Sequence, residues 1–408
     1  QIGQGINLWS SYAFGKSSDF ATMKKTAIPI RPYTSVDEAR FLRGFAVDYG
    51  IRNFSVLAFV SSKRVDASSI ADSTLDDLEF ISTIDLSGLH RTNREIEKMN
   101  LLRENIAGLN IKYSKVGLKV GIAAVYQGYD KPYEKSVQLY NQFDFRGKQN
   151  FSYSADYSYN IKNINLFGEV SKVWNSDLAQ FKSGWAMVHG AMIALDPRAS
   201  IGILYRDYQK DYQTFYNAGF SEGSNTQNEK GLYTGLKLKL ASALSLVAYV
   251  DIFKFPWMKF GVDAPSHGHE FLFQPSYKPN KIFEIYFRFR QQLRQKNSRD
   301  YNGNVTPLED VLQRNYRLNL SYVINESFTF KSRIEFVTID RMSSGHKTGM
   351  LISQDLLYKP KSFPLDFSLR YALFDTEDYD TRLYSFENNA LYAFAVPAYY
   401  YQGSRAYV

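Results

Sequence analysis

Phe151-Ser152-Tyr153-Ser154-Ala155-Asp156-Tyr157-Ser158-Tyr159 alternates large apolar or aromatic residues with small or charged polar ones. Side chains of a strand point alternately to opposite faces, so this stretch has one apolar face and one polar face. The same period of two recurs along the chain. Val116, Leu118, Val120, Ile122 and Ala124 alternate with Gly117, Lys119, Gly121 and Ala123. Leu232, Thr234, Leu236, Leu238 and Leu240 alternate with Tyr233, Gly235, Lys237 and Lys239. Phe283, Ile285, Phe287 and Phe289 alternate with Glu284, Tyr286, Arg288 and Arg290, and the stretches 328–336 and 365–371 repeat the pattern.

A soluble β-sandwich alternates too. Three features favour a membrane barrel. The segments run about 10–12 residues, the length a tilted strand needs to cross a bilayer and about twice that of an ordinary strand. Their apolar faces are crowded with Tyr and Phe, which suit the lipid headgroup level. Their connections alternate between tight turns, as at Asn160-Ile161-Lys162-Asn163 and Asp196-Pro197-Arg198-Ala199, and long polar stretches. Short periplasmic turns and long outer loops are the rhythm of an outer-membrane barrel.

The sequence therefore predicts an all-β fold, a transmembrane antiparallel up-and-down barrel in the outer membrane. Strands are expected at 4–14, 39–50, 52–63, 103–114, 116–127, 150–160, 163–174, 184–195, 199–211, 229–240, 243–255, 269–278, 281–296, 312–323, 327–340, 347–358 and 364–377, with another starting near 404. Long connections are expected near 15–38, 64–102, 128–149, 175–183, 212–228, 256–268, 297–311, 341–347 and 378–403. No linker divides the chain, so 1–408 reads as one domain. The strand-like start at Ser404-Arg405-Ala406-Tyr407-Val408 leads us to expect a barrel incomplete at both ends, with at least eighteen strands.

Composition agrees. Among 408 residues there are 31 Tyr, 30 Phe and no Cys, and the net charge is +8. An apolar share of 44% excludes a disordered chain, and runs of 18 or more apolar residues for helical spans are missing. A mean hydropathy of −0.35 fits strands with one wet face and long polar loops. Absence of Cys suits a chain that crosses an oxidising periplasm unfolded.

Several loop stretches carry a resemblance. They are Gly3-Gln4-Gly5-Ile6-Asn7-Leu8-Trp9 with Phe14-Gly15-Lys16-Ser17-Ser18, Ser87-Gly88-Leu89-His90-Arg91-Thr92, and Phe220-Ser221-Glu222-Gly223-Ser224. To these add Phe255-Pro256-Trp257-Met258-Lys259-Phe260, Val262-Asp263-Ala264-Pro265-Ser266 and Leu391-Tyr392-Ala393-Phe394-Ala395-Val396-Pro397. Across most of its length the chain resembles the barrel region of Bacteroidota outer-membrane proteins known as helix-hairpin-helix domain-containing proteins. The resemblance makes a multi-protein envelope complex attractive and implies no reaction. The helix-hairpin-helix region itself is not among these residues, so no nucleic-acid role carries over.

Charges are costly on a lipid-facing surface, by about 2–4 kcal/mol at the midplane. Lys119, Lys237, Lys239, Arg288, Arg290, Arg317, Lys331, Arg333 and Arg370 are therefore expected in the lumen, as are Asp156, Glu169, Glu284, Glu335 and Asp366. They either line a pore for polar or anionic solutes or pair across the wall of a plugged barrel. The 64–102 connection is long enough to be an outer loop or a plug. The Tyr-rich stretches from Tyr205 to Tyr216 and from Tyr384 to Tyr401 suit either a glycan or protein ligand or simple rim packing. His267 and His269 form the one metal-like spacing, without an evident third ligand. His189 reads as interfacial or packed.

Hydrolase elbows, zinc-protease motifs, phosphate loops and Cys nucleophiles are absent from the sequence. No cofactor is implied, and the spread of basic residues gives no nucleic-acid signature. The expected function is a non-enzymatic component of an envelope translocation or assembly complex. Its expected partners are outer-membrane lipid, lipopolysaccharide and envelope proteins. A stand-alone pore and a surface ligand-binding barrel are the alternatives.

Overall fold

The computed structural model describes all residues except 10–15, 18, 35–38, 72–78, 177–180, 301–305, 362 and 390–394. Alternation becomes strand nearly everywhere it was expected. The strands are β1 (Gly44–Ile51), β2 (Phe54–Ala71), β3 (Glu79–Asp85), β4 (Leu102–Lys115), β5 (Leu118–Tyr133), β6 (Gly147–Ile161) and β7 (Ile164–Ser176). They continue as β8 (Phe181–Asp196), β9 (Ala199–Tyr208), β10 (Glu229–Lys239), β11 (Leu244–Phe255), β12 (Ser266–Tyr277) and β13 (Phe283–Asn297). The last are β14 (Leu308–Val323), β15 (Phe328–Arg341), β16 (Gly345–Tyr358), β17 (Phe367–Thr376), β18 (Leu383–Tyr384), β19 (Ala398–Tyr399) and β20 (Gln402–Tyr407).

Eighteen of these form one sheet in which sequence neighbours pair antiparallel, the wall of an up-and-down outer-membrane β-barrel. β3 is not a wall strand in its own right. It takes over from β4 as the partner of β2 above Val65, and together β2 and β3 raise an arm on the long-loop side. A short helix, α1 (Asn93–Glu97), follows in the same connection, held by a capping box between Thr92 and Glu95. The described part of 64–102 thus continues the wall beyond Val65, with Ala67 and Ile81 packed against Phe145 and Phe215.

The two faces separate as the alternation requires. Phe287, Leu318 and Ile334 stand in register on β13, β14 and β15 and are 39%, 42% and 44% exposed. One step along, Arg288, Arg317 and Glu335 stand in register on the opposite face. The exposed apolar surface is stable only against lipid. Two aromatic levels bound it. Tyr49, Phe54, Tyr159, Tyr277, Tyr322 and Phe367 lie beside the short turns, and Tyr126, Phe151, Tyr153, Trp174, Tyr205 and Tyr316 lie nearer the long loops. Trp174 is ten residues above Ile164 on β7. At about 3.3 Å per residue and about 40° of tilt, that is roughly 25 Å, the height of an outer-membrane apolar band.

Two strand expectations are corrected. Residues 4–9 of the expected first strand are not extended; they wind through the lumen, while 10–15 lie outside the described residues. Ile6 and Leu8 imitate a period of two, but Gly3 (φ +56°) and Gly5 (φ +83°) take the left-handed region and break the strand. The connection expected at 341–347 is only the tight turn 342–344, because β15 and β16 run on as paired strands to Arg341 and Gly345. Among the described residues β1 pairs only with β2, and β20 only with β17.

Candidate functional site: a filled upper lumen

Three stretches of chain, in their described residues, fold into the space the wall encloses: 1–33, the β9–β10 connection 209–228, and the β17–β20 connection 377–401. The first two are tied together. Trp9 N–H donates to the Tyr216 carbonyl at 2.9 Å, and Ala218 N–H to the Gly5 carbonyl at 2.8 Å. The hydroxyls of Tyr212 and Thr214 donate to the Ile6 carbonyl at 3.2 and 3.1 Å. Apolar contacts back them. Ile2 and Leu8 join Ile106, Ala123 and Val125 of the wall, and Ile6, Phe20 and Met23 join Phe167, Val188, Leu204 and Tyr233.

The anchor of the N-terminal stretch is Glu169, on the inner face of β7 and fully buried. Its carboxylate accepts the backbone N–H groups of Gln4 (2.6 Å), Ile6 (3.1 Å) and Asn7 (3.2 Å). The chain must wrap tightly around one side chain to aim three N–H groups at it. A Cβ on Gly3 would stand 2.6 Å from the Glu169 carboxylate, so only glycine fits there. Asn7 adds a second tie, donating to Ser154 Oγ at 3.1 Å and accepting from Ser152 Oγ at 2.6 Å.

Farther along, Lys16 enters a buried ion cluster. Its ammonium bonds Glu222 of the 209–228 connection, Asp251 of β11 (2.7 Å) and Glu270 of β12 (3.4 Å). Burial works against that charge, but Glu270, Glu222 and Asp251 outweigh it and hold the pKa above its usual value. Arg206 of β9 forks onto Asp251 at 2.8 and 3.0 Å and bonds Glu229. Arg290 forks onto Glu270 at 3.0 and 2.8 Å, and Arg294 bonds Glu222. Lys16, Arg206, Arg290 and Arg294 thus face Glu222, Glu229, Asp251 and Glu270, and the charges balance.

The third stretch closes over β15–β17. Leu383 and Tyr399, from β18 and β19, pack on Val337, Leu351 and Ala372. Arg370 forks onto Asp355 and also reaches Ser385 Oγ at 3.0 Å, while Arg333 donates to the Tyr384 carbonyl at 2.7 Å.

Lys119, Lys237, Lys239, Arg288, Arg290, Arg317, Lys331, Arg333, Arg370, Glu284 and Glu335 all project from the inner face, on the parity of the residues that touch the filling segments. They do not form one site. Arg290 joins the upper cluster and Arg370 anchors the 377–401 stretch. Glu284 pairs with Lys278 at 2.8 Å by the short turns, and Asp366 with Lys359 at 2.8 Å in a turn. Arg288, Arg317, Arg333 and Glu335 form a separate patch lower in the lumen.

His267 and His269 share the outer face of β12, and no group of three His, Cys, Asp or Glu able to hold a metal ion occurs among the described residues. His189 also faces outward, 3.1 Å from the Tyr157 hydroxyl. Tyr208 and Tyr212 are buried braces of the filling, not a displayed surface, whereas Tyr400 and Tyr401 are exposed.

Sequence reasoning missed Arg206, Glu222, Glu229 and Asp251, and missed Glu169 as an anchor. The usable signal was Gly3-Gln4-Gly5, two glycines bracketing one residue ahead of a Lys-containing loop. The resemblance stretches around Lys16 and Glu222 prove to be the two sides of one ion pair; Phe14, Gly15, Ser18 and 391–394 lie outside the described residues.

Lys25 gives the filling a pH dependence. Its ammonium sits 5.1 Å from the Trp9 ring, and burial pushes its pKa down to about 8, with Glu169 pulling it back up. Once released to water it titrates near its usual value of about 10.4. Between these values the released stretch binds more protons than the seated one, so seating strengthens as pH rises from about 8 toward 10. Hydrogen-exchange protection of residues 2–8, corrected for intrinsic rates, is expected to rise about tenfold over that window after allowance for solvent screening. In Lys25→Met the rise should vanish; an equal rise there would remove Lys25 as its source.

No family model and no curated protein matches the sequence. Among solved structures the chain is similar to the ferric yersiniabactin uptake receptor FyuA from Yersinia pestis, with a TM-score of 0.43 and 10% identity over 82% of this chain and 58% of that one. It is also similar to OpdK from Pseudomonas aeruginosa, solved with vanillate, with a TM-score of 0.42 and 11% identity over 82% and 88% of the two chains. For an anion-selective porin from Comamonas acidovorans the TM-score is 0.38 and the identity 12%, over 86% and 97%. The chain spans less than two thirds of the receptor's length, and at these scores none of the three lends it a function.

Proposed function

We propose that this outer-membrane barrel is a plugged conduit, working as a non-enzymatic component of an envelope translocation or assembly complex. The observation that carries the reading is the seat of the described residues of 1–33: a stretch whose backbone is gathered by one buried carboxylate, Glu169, and whose Lys16 enters an ion cluster, with apolar packing behind both, reads as a removable stopper. A partner that competes for Glu169 or Lys16 could draw it out.

Two measurements test the reading. Mild detergent extraction from native membranes should yield stoichiometric partner proteins. Liposomes carrying the isolated barrel should swell in small sugars no faster than empty ones. Fast swelling by the intact protein would favour the stand-alone pore instead, and a barrel that purifies alone would remove the complex.

A further inference from the structure

A wall that faces only fluid lipid needs neither a hollow nor a charge on its outer surface. The outer face of β4–β8 has both. Leu109, Ala124, Tyr153, Lys172 and Trp185 stand in one register row across these strands. The next row toward the short turns is Ile111, Ile122, Ala155, Val170 and Met187. Ala124 and Ala155, on neighbouring strands, floor a hollow of about 640 Å³ walled by Leu109, Ile122, Tyr153, Val170 and Trp185. Ile122 and Val170 are 55% and 43% exposed on the membrane side, so the hollow opens to lipid.

Lys172 forms the upper rim of this hollow. Its ammonium is 5.2 Å from the Trp174 ring, and Tyr153 and Trp185 stand directly across from it on β6 and β8. Lys172 is eight residues above Ile164 on β7, roughly 20 Å up an apolar band about 25 Å tall. The long loops face the outside of the cell, so this height belongs to the outer leaflet. The side chain leans toward Trp174, two residues nearer the long loops, as a lysine does when it carries its charge up to the interface. Ser183, directly opposite Trp174, and Gln149 are exposed and continue the polar rim above.

A cation at this depth calls for an anion. Lys230 and Arg314, on the outer face of β10 and β14, have Asp207 and Asp340 at 2.7 and 2.6 Å. Among the described residues no carboxylate pairs with Lys172. Outer-leaflet lipopolysaccharide can supply the charge, because lipid A carries its phosphates directly above its acyl chains. Lys172 over an apolar hollow has the same order, charge above and hydrocarbon below. Phosphates of the inner leaflet lie at the other aromatic level, a band's height away.

We propose that the hollow is a lipopolysaccharide site: an acyl chain of lipid A lies over Ala124 and Ala155, and a lipid A phosphate meets the Lys172 ammonium among Tyr153, Trp174 and Trp185. The site lies on the membrane side of the wall and does not depend on what fills the lumen.

The test uses the full chain in dodecyl maltoside, with bound lipid counted by native mass spectrometry. The probes are bisphosphorylated lipid A, the same lipid A with its phosphates removed, and phosphatidylglycerol. Saturable binding of lipid A is expected, tighter than that of the other two. Lys172→Gln should weaken it by at least about tenfold, the size of one lost charge-assisted contact. Ala155→Phe, which fills the hollow, should weaken it too, and Lys254→Gln on the outer face of β11 should leave it unchanged. Removing the phosphates should cost Lys172→Gln far less than wild type. Heat-modified gel mobility checks that each variant is folded, and Ala155→Leu stands in should Ala155→Phe misfold. Phosphatidylglycerol bound as tightly as lipid A would overturn the site. So would wild-type affinity in both hollow variants, or a dimer of the chain in place of bound lipid. Liposome swelling separates the two proposals: a barrel that swells liposomes yet binds lipid A keeps the site and loses the stopper, and a silent barrel without lipid A binding does the reverse.

Discussion

Deleting residues 1–33 is expected to turn an electrically silent barrel into a conducting one in planar bilayers. Walls of 16–18 strands enclose a water-filled channel unless chain occupies it, and here the N-terminal stretch occupies the side lined by β4–β12. A milder version needs one atom group. Glu169→Ala removes the acceptor of three backbone N–H groups, and hydrogen bonds to a charged partner contribute about 1.5–3 kcal/mol each. Even half of that sum weakens the seat by about 3 kcal/mol, roughly a hundredfold in the seated-to-released ratio. Brief openings should therefore appear in Glu169→Ala and sustained ones in the deletion. Glu169→Gln, which keeps an acceptor without the charge, should fall between wild type and Glu169→Ala. If both the deletion and Glu169→Ala stay silent, the 209–228 and 377–401 connections close the lumen by themselves and residues 1–33 are not the gate.

Replacing Arg206 with Met should cost the barrel about 3–5 kcal/mol of stability, the usual penalty for removing one partner of a buried ion pair. The guanidinium is fully buried between Asp251 and Glu229. Without it, two carboxylates are left in low dielectric, with Lys16 the remaining cation bonded to Asp251. The loss should show as an earlier midpoint in urea unfolding followed by tryptophan fluorescence, with the slope unchanged. Arg206→Lys should recover part of it, since one ammonium cannot fork onto Asp251 and reach Glu229 together. Adding Asp251→Asn and Glu229→Gln to Arg206→Met should also recover stability, because the cost lies in stranded charge more than in lost contacts. If the triple variant is less stable than the single, the cluster acts through packing, not charge.

The alternation of Phe151 to Tyr159 was enough to place β6 and to say which face meets lipid, because in a strand that choice is fixed by parity alone. Leu318 faces outward and Arg317 inward for the same reason. Parity also misled once: Ile6 and Leu8 look like the apolar face of a strand, yet the left-handed glycines beside them wind the chain around Glu169.

The site was far less legible. Lys16, Glu222, Asp251 and Glu270 lie up to 254 residues apart in sequence and meet only because a loop and a terminal stretch both turn inward. Nothing local in those residues encodes the meeting. Sequence could place a charge in the lumen but not its partner, so Arg290 and Arg317 looked alike. In the structure one forks onto Glu270 in the cluster around Lys16, and the other forks onto Glu335 lower in the lumen.

By itself, then, the sequence determined the barrel, its membrane face and the side from which long loops emerge, since these follow from a period of two and from the cost of charge in lipid. Tertiary structure alone decided what fills the lumen, which carboxylate holds it there, and which inner-face charges meet. Those depend on distances between segments far apart along the chain, and no spacing within a strand records them.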